Sequence, residues 1–168
     1  MRSSRALPLL VAFSLLPLAA KAPLVLGAEP PARGHLVLIG GGEKPPEVMR
    51  KFVELAGGKD APIVVIPTAS SEADAPDYYE KLFREELGCL DAVSLRIRSR
   101  ADASRPDFVA LARKARGVFF GGGDQIRITN ALLGTPVGDA IAAAFAGGAV
   151  VGGTSAGTAC QSEKMITG

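Results

Sequence analysis

Four short, mostly apolar runs punctuate the chain, and each ends in glycine or proline. They are His35-Leu36-Val37-Leu38-Ile39 before Gly40-Gly41-Gly42, Pro62-Ile63-Val64-Val65-Ile66 before Pro67-Thr68, Val118-Phe119-Phe120 before Gly121-Gly122-Gly123, and Ala149-Val150-Val151 before Gly152-Gly153. Runs without polar alternation read as strands buried on both faces, the pattern of a parallel sheet covered by helices. A fifth stretch alternates Val93, Leu95 and Ile97 with Ser94, Arg96 and Arg98, which places it nearer a sheet edge. Helical spacing fills the gaps. Val48, Phe52 and Leu55 recur behind Pro45-Pro46, and Tyr79, Leu82, Phe83 and Leu87 recur before Gly88, a C-cap residue. Ser104-Arg105-Pro106-Asp107 reads as a capped start for a helix over 108–115, and Thr135-Pro136 opens another. Strand and helix alternate at βα spacing, so the expected class is α/β with a mostly parallel sheet. In such sheets ligands bind beyond the carboxyl ends of the strands, so the exits after Ile39, Ile66, Phe120 and Val151 should share one functional rim.

The N-terminal region follows another pattern. Met1-Arg2-Ser3-Ser4-Arg5 is cationic, 6–20 is apolar and uncharged, and the small residues Gly27-Ala28 follow. This is the layout of a secretory signal peptide over 1–27, and the run is shorter than the ~20 residues of a membrane span. No stable membrane anchor is expected, and the protein is expected to be secreted or periplasmic. Residues 28–34 read as a linker, and 35–168 as one α/β domain whose C-terminal part is expected to be missing.

Charge and composition remove several classes of function. The 168 residues carry a formal charge of +2, with 5% aromatic residues and no tryptophan. Without Arg2, Arg5 and Lys21 the balance is 16 basic against 17 acidic residues, so there is no electrostatic footprint for nucleic acid and little material for base stacking. One histidine, and no paired Cys or His at ligand spacing, argue against a metal site. A P-loop motif is missing, and the dinucleotide fingerprint fails at Pro45. No cofactor is expected. Cys89 and Cys160 fall in different elements and are expected to be reduced, partly buried thiols.

The sharpest chemical signal is Val150-Val151-Gly152-Gly153-Thr154-Ser155-Ala156-Gly157. A Gly-x-Ser-x-Gly directly after a buried strand and before a helix is the context of a nucleophile elbow. Glycines two residues before and after the serine let the turn close and expose its hydroxyl. Ser155 is the candidate nucleophile, and the Ala156 N–H is one natural oxyanion donor, favoured by the N-terminus of the following helix. The Gly121-Gly122-Gly123 exit brings bare N–H groups near a ligand, so Gly122 or Gly123 is the candidate second donor. Asp124 can cap the next helix or meet substrate, and Gln125, in its first turn, can face the pocket. The triple glycine 40–42 more simply shapes the floor of the site.

Gly40-Gly41-Gly42-Glu43, Ile66-Pro67-Thr68-Ala69-Ser70, Phe120-Gly121-Gly122-Gly123-Asp124-Gln125 and Gly153-Thr154-Ser155-Ala156-Gly157 together resemble the N-terminal portion of the cyanophycinase family, serine exopeptidase-like hydrolases related to aspartyl dipeptidase. The resemblance implies a three-layer α/β sandwich of the class I glutamine amidotransferase kind. It also implies hydrolysis of cyanophycin to β-Asp-Arg dipeptides, with Ser155 as nucleophile and Gln125, with Asp124 and Gly123, on the substrate. In that family the base histidine and its acidic partner follow the nucleophile. Here the sole histidine, His35, lies at a strand start, a strand length from the rim, while Glu163 and Lys164 are expected on or near the elbow helix. A serine without a base should turn over poorly, so inactivity of the 168-residue chain is expected. The partner expected is a β-Asp-Arg type peptide, and a homodimer stays open. An esterase built on the same elbow and a binding module that has lost its base are the alternatives.

Overall fold

The computed structural model describes residues 33–167; the expected signal peptide 1–27 and most of the linker lie outside the described residues. Five strands form one sheet: β1 (His35–Ile39), β2 (Ile63–Ile66), β3 (Ala92–Ser94), β4 (Gly117–Phe120) and β5 (Val150–Thr154). Their order is β1-β5-β4-β2-β3, and each neighbouring pair is parallel. On one face α1 (Pro46–Ala56) and α2 (Ala75–Lys81) pack Met49, Phe52, Val53 and Tyr79 against Val37, Ile63, Val65, Phe119 and Val150. On the other, α3 (Pro106–Lys114), α4 (Gln125–Leu132) and α5 (Pro136–Ala146) pack Ala112, Ile128, Val137 and Ile141 against Val64, Ile66, Val118 and Val151. The expected α/β three-layer sandwich is the fold observed.

Local chemistry explains most element starts. Prolines occupy the first turn of α1, α3 and α5, where a missing N–H leaves no bond unmade. Thr135 caps α5 by accepting from the Gly138 N–H at 3.3 Å. Ser104 does not cap α3 as expected; it ends a short 3₁₀ turn, and its hydroxyl donates to the Arg100 carbonyl at 2.9 Å. After Lys81 the chain widens into a π turn, Leu82–Glu86, and Gly88 then takes φ +71°, the left-handed conformation expected of a stop.

One strand departs from expectation. β1 is an edge strand of the described sheet, and the described elements cover one of its faces more fully than the other. Val37 and Ile39 are buried, but Leu36 and Leu38 are 53% and 56% exposed. Continuous apolar character in this run therefore does not mean burial on both faces. β3 is the opposite edge, as its polar alternation suggested, although the strand stops at Ser94.

The centre of the α1 face is aromatic. Phe52, Phe83 and Phe119 have no exposed surface and meet edge to face, with ring centroids 5.5–5.8 Å apart. Glycines at 117 and 152 make room for Phe52: a methyl group at Gly152 would sit 2.8 Å from its ring. Tyr79 extends the cluster toward the rim, 6.0 Å from Phe119. Phe119→Ala is expected to cost about 3–5 kcal/mol of unfolding free energy, measured by urea denaturation; a loss under about 1 kcal/mol would show that this cluster does not hold the sheet.

Candidate active site

Parallel strands bring their carboxyl ends to one side, and β1, β4 and β5 sit there side by side. At the end of β5, buried Thr154 is followed by exposed Ser155. Ser155 has φ 52° and ψ −116°, and among the described residues it alone is a non-glycine at positive φ. Such a conformation costs roughly 1–3 kcal/mol and persists only where the surroundings impose it. Those surroundings are backbone. An added Cβ at Gly153 would collide with the Gly157 carbonyl oxygen, and one at Gly157 with the Phe120 carbonyl oxygen. The Ser155 N–H donates to Ile39 O at 2.9 Å, and its own carbonyl accepts from Thr158 and Ala159. Thr158 Oγ1 accepts from the Ile39 N–H at 3.1 Å and lies 2.7 Å from both Ile39 O and Gly153 O. The bend is thus stitched to β1 as well as to β5.

Two glycine loops close on the serine. A Cβ at Gly41 would lie 3.5 Å from Ser155 Cβ and 3.8 Å from its Oγ, and one at Gly122 would lie 3.5 Å from Ser155 Cβ. Side chains there would cover the hydroxyl. Gly41 and Gly42 take φ +128° and +71°, and of the first triple glycine it is Gly41 that stands beside Ser155.

The Gly121–Gly123 loop is less bare than expected. The Gly121 N–H donates to Ile66 O at 3.0 Å, and the Gly122 N–H, a candidate oxyanion donor, donates to Tyr79 Oη at 3.2 Å. Both amides are occupied because the loop is tied down to the sheet and to α2. The N–H groups of Gly41, Gly42, Gly123 and Ala156 donate to no described group. The helix after Ser155, α6 (Ala156–Ala159), is a single turn, so its local N–H groups matter rather than a macrodipole.

Tyr79 went unnoticed in the sequence because its spacing reads as helix core. Its ring is buried, and burial pushes its pKa upward, against the opposing effects of the Gly122 N–H and Lys44. It is a neutral phenol at physiological pH. Lys44, from the loop after β1, donates to Tyr78 Oη at 3.1 Å and stands 5.8 Å from the Tyr79 ring centroid. A hydroxyl on an otherwise apolar helix face was the one available signal.

Asp124 caps α4, its Oδ1 accepting from the Ile126 N–H at 2.8 Å. Gln125 is half-buried, and its Nε2 donates to Ile166 O at 2.6 Å. His35 pairs in register with Val150, at the far end of the strand that Ser155 follows. Glu163 and Lys164 are exposed and lie beyond α6 rather than on it, because that helix ends at Ala159. Ser155 Oγ therefore hydrogen-bonds no described residue, and no described imidazole or carboxylate is placed as its base. Both cysteines are free thiols. Burial pushes Cys160 up to about 12, so it is not a competing nucleophile at neutral pH.

The model of peptidase family S51 matches residues 36–168. A cyanophycinase of Synechococcus elongatus is 37% identical over 139 residues, covering 80% of this chain and 43% of its own length. A cyanophycinase of Geminocystis herdmanii is 36% identical over 141 residues, covering 81% and 52%. Among solved structures, a peptidase from an acI-B1 actinobacterium superposes with a TM-score of 0.66 at 29% identity, over 76% of this chain and 56% of that one. A putative peptidase E protein from Listeria monocytogenes superposes with a TM-score of 0.54 at 22% identity and supports the fold alone. The chain spans about half the length of the curated relatives it matches.

Gly153→Ala is expected to lower unfolding free energy by about 3 kcal/mol or more, because backbone must move. Gly40→Ala, with nothing within 4 Å of the added methyl, is expected to stay within about 0.5 kcal/mol of wild type. Equal effects in chemical denaturation would contradict the packing described at the bend.

Proposed function

The chain belongs to peptidase family S51, and we propose that it carries the nucleophilic half of a serine-type peptidase acting on β-aspartyl peptides such as cyanophycin. The observation that supports this most is the strained, exposed Ser155 between Gly41 and Gly122. In this reading Ser155 Oγ attacks the scissile carbonyl. The Ala156 N–H, with Gly123 or Gly41, receives the oxyanion that forms. Gly122 is not among the donors while its N–H is given to Tyr79. Asp124 acts by fixing the start of α4, from which Gln125 reaches substrate once its amide leaves the Ile166 carbonyl.

The Ser155 proton needs an acceptor, and the described residues place none beside it. The chain by itself is therefore proposed to be slow. Loss of a triad base leaves catalysis orders of magnitude below that of the intact constellation. The test is β-Asp-Arg release from cyanophycin, followed by liquid chromatography and mass spectrometry. The chain is expected to be at least ~10³-fold slower than the longer cyanophycinases, and Ser155→Ala is expected to change that residual rate by less than about 10-fold, because a serine without its base contributes little beyond binding and the oxyanion donors. Cyanophycinase-like rates would overturn the missing base. Hydrolysis at cyanophycinase-like rates that survives Ser155→Ala would overturn the nucleophile. Cleavage of p-nitrophenyl esters without β-aspartyl cleavage would point to an esterase.

Export is part of the proposal and rests on residues 1–27. N-terminal sequencing of protein recovered from outside the cytoplasm is expected to start near Ala28; an intact Met1 on cell-retained protein would contradict it.

A further inference from the structure

We propose that a hollow walled by Arg98, Arg100 and Arg127 is a second binding site, apart from Ser155, for carboxylates carried along an acidic peptide. Its use as a substrate subsite rests on the nucleophile reading above; the anion site itself does not.

Three elements meet at the hollow. The loop after β2 supplies Thr68, the chain beyond β3 supplies Arg98, Ser99 and Arg100, and the first turn of α4 supplies Arg127, with Asn130 three residues on. They enclose about 510 Å³, and no carboxylate lines it. All three elements follow strands of the parallel sheet, so the hollow opens on the carboxyl rim that also carries Ser155. Its walls are tied together. The Thr68 hydroxyl donates to Ile97 O at 2.9 Å, and the Asp124 N–H, at the start of α4, donates to Ala69 O at 3.0 Å.

The charges there are fixed but not cancelled. Arg98 donates from its two terminal nitrogens to Ser70 O at 2.6 Å and Glu72 O at 3.1 Å. Arg100 donates to Leu133 O at 2.7 Å and Gly134 O at 3.2 Å. Carbonyls hold a guanidinium in place without carrying net charge, and neither arginine pairs with a carboxylate among the described residues. Arg127 Nε lies 3.9 Å from Asp124 Oδ2, too far for a hydrogen bond. Asp102 turns its Oδ2 to the N–H groups of Arg98 and Ser99 and to the Ser99 hydroxyl. Elsewhere on the surface the pattern is different: Arg96 and Arg105 each hold an acid of their own, Asp77 and Asp107. Guanidiniums gathered without acids raise the local positive potential, and those already held in position lose less freedom when a carboxylate arrives.

Size and position select the ligand. A water molecule takes about 30 Å³ of liquid, so the hollow is far larger than one small oxyanion needs, and its charges come from separate elements. That arrangement suits carboxylates repeated along a chain. In the strand order, β2 is two places from β5 and β3 is three. At about 4.8 Å per place the hollow lies roughly 10–15 Å across the rim from β5, a span that an extended peptide covers in about three to five residues. A peptide with its scissile bond at Ser155 would set a side chain that many residues away among the arginines.

The test is fluorescence anisotropy of a labelled deca-aspartate peptide with the 168-residue chain. Binding is expected at low salt and is expected to weaken as salt rises. Arg127→Gln is expected to weaken it roughly 3–5-fold, and Arg100→Gln combined with Arg127→Gln about 10-fold or more. Arg127→Lys, which keeps the charge, and the pair Arg113→Gln with Arg116→Gln, at the amino end of β4, are expected to stay within about 2-fold of wild type. Arg127 has no side-chain hydrogen bond to lose, so its variants should melt with the wild type and report binding alone. No binding at low salt, binding that ignores salt, or loss on the Arg113 and Arg116 pair instead would overturn the proposal. A rise in Tm with inorganic phosphate, without deca-aspartate binding, would assign the hollow to a free oxyanion and overturn the peptide. Ser155→Ala should leave the affinity unchanged, so the anion site and the nucleophile fail separately.

Discussion

The bend at Ser155 depends on backbone meeting backbone. Gly157 lies against the Phe120 carbonyl, and Gly153 against the carbonyl of Gly157. A methyl group at either position would push β5 away from β4 or unwind the turn. With both glycines present, the chain can reverse within two residues, and a serine is held at φ 52° with its side chain facing outward. The cost of that conformation, roughly 1–3 kcal/mol, is offset by the bonds around it: the Ser155 N–H to Ile39, and the threonine at 158 to Ile39 and Gly153. Three strand ends are therefore locked by one turn of irregular chain.

Support for the rim comes from inside the sheet. The aromatic cluster of Phe52, Phe83 and Phe119 passes through Tyr79 to the Gly122 amide. Packing in the core and orientation at the site are thus parts of one connected body, and the tyrosine hydroxyl is the point where the apolar interior meets the polar rim. This link also redistributes roles among the glycines. One loop amide holds the sheet, one holds the tyrosine, and only the third, with those of the first glycine loop, is left facing chemistry.

Much of this was legible in the sequence, for identifiable reasons. β2, β4 and β5 are central, so their unbroken apolar character and their burial coincide. The elbow was legible because Gly-x-Ser-x-Gly satisfies a steric demand that few other residues meet. The same logic failed at β1, whose composition matches a central strand although it lies at an edge; strand order is a property of pairing, which composition does not encode. Ser104 resembled a cap but was captured by a preceding turn. Tyr79 was invisible because helical spacing explained it fully, and the use of its hydroxyl depends on a residue 43 positions away.

A single geometric feature carries the account: a hydroxyl held outward at a strained residue between two glycine loops. A crystal structure of this chain measures it most directly, through the backbone dihedrals of Ser155 and the surroundings of its Oγ. The expected result is φ near +50° with the oxygen open to solvent between Gly41 and Gly122. A negative φ, with the oxygen turned into the following helix, would contradict it.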